Sequence, residues 1–197
     1  PRIDDKITDA VVETLRSGWL TTGPRVKRFE KQISAYCGSS AALCLNSATA
    51  GLELVLRWFG VREGDEVIVP AYTYCATANV VVHCGAKPVF VDVGEDFNIS
   101  LAAIRKALTK RTKVIMPVDF AGFPCDYEEI MQIVNDADVR KIFIPGSAEQ
   151  EMLGRILVLS DSAHSLGALY KGRRAGALAD ISVFSFHAVK NLSTAEG

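Results

Sequence analysis

Lys190 stands four residues beyond Phe186, the end of the apolar, β-prone run Ile181–Phe186. If that run is a buried strand, a lysine at its exit loses hydration, and burial favours the neutral amine. A neutral amine is what imine formation with an aldehyde or ketone requires. A second apolar run, Ile156–Ser160, leads into Asp161, with His164 three residues on. Elsewhere, Asn46-Ser47-Ala48-Thr49-Ala50-Gly51 opens a helix with small and hydroxylated residues. A helix mouth of that kind offers free N–H groups and partial positive charge to a phosphate. A lysine, a carboxylate and a phosphate seat are together the fixtures of a pyridoxal-phosphate site.

Each residue also has a plainer reading. A lysine after a strand is ordinarily a solvated surface charge. Asp161 could cap a helix or turn, and so could Asn46 or Ser47. As a functional group, Asp161 would face the pyridine nitrogen and keep it protonated, so that the ring can absorb the electrons of a carbanion. The paired cation would in turn let the carboxylate stay ionised away from water. Ser185 could add a hydroxyl to the phosphate. Tyr74, just past Pro70-Ala71-Tyr72-Thr73, suits stacking on the ring and suits plain packing equally well. His164 and His187 lack the third ligand and the spacing of a metal site. Neither a phosphate-binding G-x-x-x-x-G-K-[ST] loop nor a G-x-S-x-G elbow occurs, which counts against an ATPase and a serine hydrolase.

The elements that must position these groups alternate between helix and strand. Helical stripes are Ile7/Val11/Leu15, then Val26/Phe29/Ile33/Tyr36 ending at Gly38, then Leu52/Val55/Leu56/Phe59 stopped at Gly60. Strands are expected at Ala41–Leu45, Glu66–Pro70, Val89–Val93, Lys113–Val118, Ile156–Ser160 and Ile181–Phe186, with a shorter strand and turn in Gly167–Arg173. Further helices are expected at Tyr74–Cys84 and Ser100–Leu108, and after the capping box Asp126-Tyr-Glu-Glu129. Residues 138–155, broken by Pro145-Gly146, read as an insertion with a short helix at its end. The alternation predicts an α/β fold with a mostly parallel sheet, whose ligands sit at the carboxyl ends of the strands. Asp161, Ser185 and Asn46-Ser47 all fall there.

The 197 residues are 49% apolar and 23% charged, enough for one good core. A net charge of −1 gives no footprint for nucleic acid or an anionic membrane. No run reaches the length of a membrane span. The five cysteines are odd in number and form no C-x-x-C, which argues for reduced thiols in a cytoplasmic protein. No metal is expected.

Five motifs in order resemble a known family. They are Ser-Gly-Trp-Leu-Thr-Thr-Gly-Pro (17–24), Asn-Ser-Ala-Thr-Ala-Gly-Leu (46–52), Gly-Asp-Glu-Val-Ile-Val-Pro (64–70), Asp-Ser-Ala-His-Ser (161–165) and Phe-Ser-Phe-His-Ala-Val-Lys-Asn (184–191). They resemble the DegT/StrS-type nucleotide-sugar aminotransferases, fold-type I enzymes dependent on pyridoxal 5'-phosphate. Within the family the nearest likeness is to the UDP-4-amino-4-deoxy-L-arabinose–oxoglutarate aminotransferases. The resemblance implies a three-layer α/β/α large domain, of which residues 1–197 would be the N-terminal portion, with the rest of that domain and a small C-terminal domain lying beyond this chain. It implies that Lys190 carries the cofactor and moves the proton, that Asp161 holds the pyridine nitrogen, and that His164 lies near the ring. Thr49, the Ala50 amide and Ser185 would take the phosphate, and Tyr74 would stack on the ring. Thr22, Gly23 and His187 would lie on the substrate side. It further implies a homodimer with a shared active site and amino-acid and nucleotide-sugar substrates, the donor being glutamate. Ser160-Asp161-Ser162-Ala163 departs from the family's usual Glu-Asp-Ala-Ala but keeps the aspartate. Two rival readings are a related sugar dehydratase, against which Lys190 argues, and a cofactor-binding scaffold without turnover.

Overall fold

A computed structural model describes residues 3–194. Its centre is the strand Glu66–Pro70 (β1), buried at every position. A strand buried on both faces has no reason to alternate, and Val67, Ile68 and Val69 are apolar in a row. Lys87–Val91 (β2) pairs with it in parallel on one side, and Thr112–Ile115 (β3) on the other. Leu157–Asp161 (β4) pairs in parallel with β3, and Ile181–Val183 (β7) with β4, giving the order β2-β1-β3-β4-β7. A small antiparallel hairpin, Leu169–Tyr170 (β5) and Arg173–Arg174 (β6), stands apart.

The chain steps one way from β1 to β2 and the opposite way from β2 to β3. Right-handed crossovers therefore place the two connecting helices on opposite faces. Cys75–His83 (α4) packs on one face beside Ala48–Trp58 (α3), and Leu101–Ala107 (α5) packs on the other beside Tyr127–Asn135 (α6). The result is the expected three-layer α/β/α arrangement with a parallel sheet. Leu52 and Leu56 of α3 with Phe59 just after it, Val80 and Val81 of α4, and Ile130, Ile133 and Val134 of α6 are fully or almost fully buried against it. Asp5–Arg16 (α1) and Pro24–Cys37 (α2) precede these layers. Gly38, at φ 76°, ends α2 in the left-handed conformation that a residue without Cβ adopts cheaply.

Two segments differ from the sequence reading. Ala41–Leu45 forms no strand, because no neighbour lies beside it. Between it and the outer edge of β7 runs a groove of about 550 Å³, lined among others by Ile33, Leu43, Leu45, Val183 and Phe186. The segment is held instead by the Cys44 N–H, which donates to Glu30 Oε1 at 3.0 Å, and Leu43 stays 66% exposed. Residues 138–155 hold the short helix expected at their end and a second helix before it. Ala137–Ile142 (α7) and Ala148–Leu153 (α8) are both helices, each capped by the side chain before it. Gln150 is completely buried and donates through Nε2 to the Phe59 carbonyl at the end of α3, as does Ser147 Oγ. Lys113, itself buried, donates to the Ile144 carbonyl. Elsewhere the differences are small. β2 begins two residues before the expected Val89, and β7 stops at Val183 rather than Phe186.

Candidate active site

The carboxyl ends of β1, β3, β4 and β7 open onto one side of the sheet. Asp161 is the last residue of β4 and is 7% exposed. Its Oδ2 accepts from Thr77 Oγ1 at 2.8 Å, and its Oδ1 from the Ala163 N–H at 3.3 Å. Thr77 lies on α4, fully buried, and its hydroxyl also meets Thr73 Oγ1 at 2.9 Å. Burial pushes the Asp161 carboxyl above the usual carboxylate range, while the Thr77 and Ala163 donors oppose that shift. Among the described residues no lysine or arginine forms an ion pair with it. A buried carboxylate without a cationic partner fits a site that receives one, such as a protonated ring nitrogen.

Lys190 lies half-buried in the loop after β7. Its Nζ is 2.7 Å from His164 Nε2. Burial lowers the pKa of the lysine, against the pull of the Asp161 charge. Burial, then the nearby Lys190 charge, lowers that of His164. Both shifts run against holding two positive charges at this contact. Asp161, His164 and Lys190 are thus brought together from two segments that adjoin through β4 and β7, the Ser162 N–H donating to the Val183 carbonyl at 2.9 Å.

The helix mouth lies on the same flank. Gly51 in the first turn of α3 is buried, and a Cβ there would come within 2.9 Å of Val183 Cγ1. The glycine therefore permits α3 to close on β7 just before Ser185, which is itself 9% exposed. Ser47 is the N-cap, and its Oγ accepts from the Ala50 N–H at 3.1 Å. That bond engages the Ala50 amide expected at a phosphate. Helix geometry leaves the amides of Ala48 and Thr49 without intrahelical acceptors, beside the exposed Thr49 side chain. Tyr74 is the N-cap of α4 and 78% exposed, so its ring has room for a stacking partner. His187 is exposed on the Lys190 loop, its carbonyl accepting from the Lys190 N–H. Thr22 and Gly23 are engaged within their own loop. Trp19 Nε1 donates to the Thr22 carbonyl, and a Cβ on Gly23 would sit 2.2 Å from the same indole nitrogen. Among the described residues no hydrogen bond links Thr22 or Gly23 to Lys190, Asp161 or His164.

Thr77 and Asp119 escaped the sequence reading. Thr73 and Thr77 stand four apart across the start of α4, a spacing that puts two hydroxyls on one helix face, and this was the available signal for Thr77. Asp119 had none beyond its place after an apolar run.

The chain matches the family described as DegT/DnrJ/EryC1/StrS aminotransferases over residues 1–144 and 151–197. It belongs to that family. The unmatched residues 145–150 include Ser147 and Gln150, which fasten the segment to the end of α3. Among solved structures, Spr1654 of Streptococcus pneumoniae in its PMP form aligns with a TM-score of 0.96 and 49% identity, covering 100% of this chain and 49% of that one. The spore coat polysaccharide biosynthesis protein SpsC of Bacillus subtilis is 39% identical over the whole chain, which spans 46% of its length. A UDP-4-amino-4-deoxy-L-arabinose–oxoglutarate aminotransferase of Shewanella sediminis is 41% identical, again over 46% of its length. The chain therefore spans about half the length of these relatives. Among the described residues no cluster of His, Cys, Asp and Glu could hold a metal ion, and no helix is long and apolar enough to cross a membrane.

Proposed function

We propose that this chain is the cofactor-binding part of a pyridoxal-phosphate-dependent aminotransferase that moves an amino group from an amino acid to a nucleotide-linked keto sugar. The observation that carries the reading is the meeting of Lys190, His164 and the unpaired buried carboxylate of Asp161 at the strand ends. When bound, pyridoxal phosphate supplies an electron sink for a carbanion. Asp161, held by Thr77, would take the pyridine nitrogen. The Ala48 and Thr49 amides with the Thr49 and Ser185 hydroxyls would take the phosphate, and Tyr74 a face of the ring. Lys190, whose pKa burial lowers, would accept the proton as an amine and return it. His164 at 2.7 Å fixes the direction of that amine.

The names of SpsC and of the arabinose aminotransferase support a sugar acceptor for the amino group, and the second supports glutamate as donor, since oxoglutarate is what glutamate becomes. Residues 1–197 would be the N-terminal portion of the large domain of a longer, dimeric protein. The coverage of about half of each relative supports this, as does the groove between Ala41–Leu45 and β7, which has room for further chain. Thr22, Gly23 and His187 would then face the substrate. The five free cysteines suit a reducing cytoplasm.

The test is a half-reaction in two steps. Full-length protein loaded with pyridoxal phosphate is mixed with glutamate, and then with a nucleotide-linked 4-keto sugar. The reading expects the yellow absorbance to fall in the first step and return in the second, with an amino sugar as product. Absorbance that responds to no amino acid would refute it.

A further inference from the structure

We propose that Asp119 is a positioning residue that fixes the turn carrying Asp161 and His164, acting through Ser162 and Ser165. The inference rests on the reading of this site as the cofactor site. Asp119 leaves the end of the β3 segment and is 1% exposed. Its Oδ1 accepts from Tyr127 OH at 2.7 Å and from the Cys125 N–H at 3.1 Å. Its Oδ2 accepts from Ser165 Oγ at 2.6 Å and Ser162 Oγ at 3.3 Å. Four donors on one buried carboxylate make a rigid post. Two of those donors belong to the four-residue turn after Asp161, closed by the Ser165 N–H on the Ser162 carbonyl.

The backbone supports the same placement independently. The Asp119 N–H donates to the Asp161 carbonyl at 3.1 Å, and the Asp161 N–H to the Pro117 carbonyl at 2.9 Å. Gly122, at φ 85°, lies directly under the turn, and a Cβ there would be 2.7 Å from the His164 carbonyl oxygen. Only a residue without Cβ allows that approach. The post and the floor together hold the backbone of the turn from which His164 reaches Lys190 Nζ. Ser160 completes the set, its Oγ meeting both Tyr127 OH and Ser162 Oγ. The serines at 160 and 162, where this chain departs from the usual family pattern, are therefore members of the Asp119 network. The Asp119 carboxylate also adds to the rise in the Asp161 pKa that burial chiefly causes.

The experiment compares Asp119→Asn and Ser165→Ala with wild type in full-length protein. The readout is the ring NMR titration of His164, with and without pyridoxal phosphate. The His164 resonance is identified by its loss in His164→Gln. The groups facing His164 are Lys190 and Asp161, with Asp119, Tyr127 and Cys125 beneath. Ser165→Ala serves if Asp119→Asn fails to fold. The proposal expects the His164 midpoint to rise by about 0.5 unit or more in the variants as the ring leaves its place beside Lys190 Nζ, with the cofactor's spectral midpoint displaced. Folded variants with a His164 midpoint and a spectral midpoint like wild type would overturn it. The cofactor-free titration tests Asp119 alone, whereas wild-type protein that never takes up the cofactor would overturn the reading of the site instead.

Discussion

Thr77→Val removes one hydroxyl and keeps the side chain's shape. Thr77 is completely buried, and its Oγ1 lies 2.8 Å from Asp161 Oδ2, so no water replaces the lost donor without opening the start of α4. A hydrogen bond to a charged group contributes about 1.5–3 kcal/mol. The bond favours the ionised carboxylate, so its loss raises the Asp161 pKa further, beyond the rise that burial already causes. At about 1.4 kcal/mol per unit, the change is roughly 1–2 units upward. The assay is a carboxyl carbon NMR titration of Asp161 in cofactor-free full-length protein, paired with the pH profile of kcat/KM. Both the carboxyl midpoint and the acid limb of the profile should move up by that amount. A folded Thr77→Val protein whose midpoint stays within about 0.3 unit of wild type would refute the reasoning.

Three further outcomes follow from the same geometry. Asp161 has a raised pKa in the folded state, so its contribution to stability is present below the ordinary carboxylate pKa and is lost as pH rises through the folded value. Asp161→Asn should therefore stabilise the cofactor-free protein at neutral pH by about 1.4 kcal/mol per unit of that rise, an advantage that fades towards about pH 4. Denaturant titrations at both pH values check this, and the same variant should lose cofactor affinity. Asp180→Asn breaks a bidentate pair with Arg155 at 2.6 and 2.8 Å and weakens the acceptor of the Val158 N–H, and it should cost about 2–3 kcal/mol in urea unfolding. Gly122→Ala places a Cβ against the His164 carbonyl at φ 85°, and should cost about 1–3 kcal/mol while shifting the His164 ring resonances.

What could be read from the sequence was local. The Gly38 stop of α2, the Asp126 cap of α6 and the apolar run Val67-Ile68-Val69 of β1 each act within a few positions, and each is found where periodicity and capping placed it. Lys190, Asp161 and His164 could be read because strand exits converge at one side of a parallel sheet. What could not be read depended on distant partners. Thr77 and Asp161 are 84 residues apart, and Asp119 meets Ser162 and Ser165 43 and 46 positions further on, so these pairings depend on contacts that no local pattern shows. Ala41–Leu45 has the composition of a strand, yet a strand exists only with a neighbour to receive its hydrogen bonds, and here a groove stands in that place. Residues 138–155 looked irregular because Pro145-Gly146 separates two helices too short for a periodic pattern, and because Gln150 owes its burial to a carbonyl 91 positions earlier.

The central claim is that Lys190 is the amine that carries the cofactor. Full-length protein loaded with pyridoxal phosphate is reduced with borohydride, digested and mapped by mass spectrometry, beside Lys190→Ala. The account predicts one stable cofactor adduct, on the peptide containing Lys190, absent from the variant. An adduct on another lysine, or one that persists in Lys190→Ala, would contradict it.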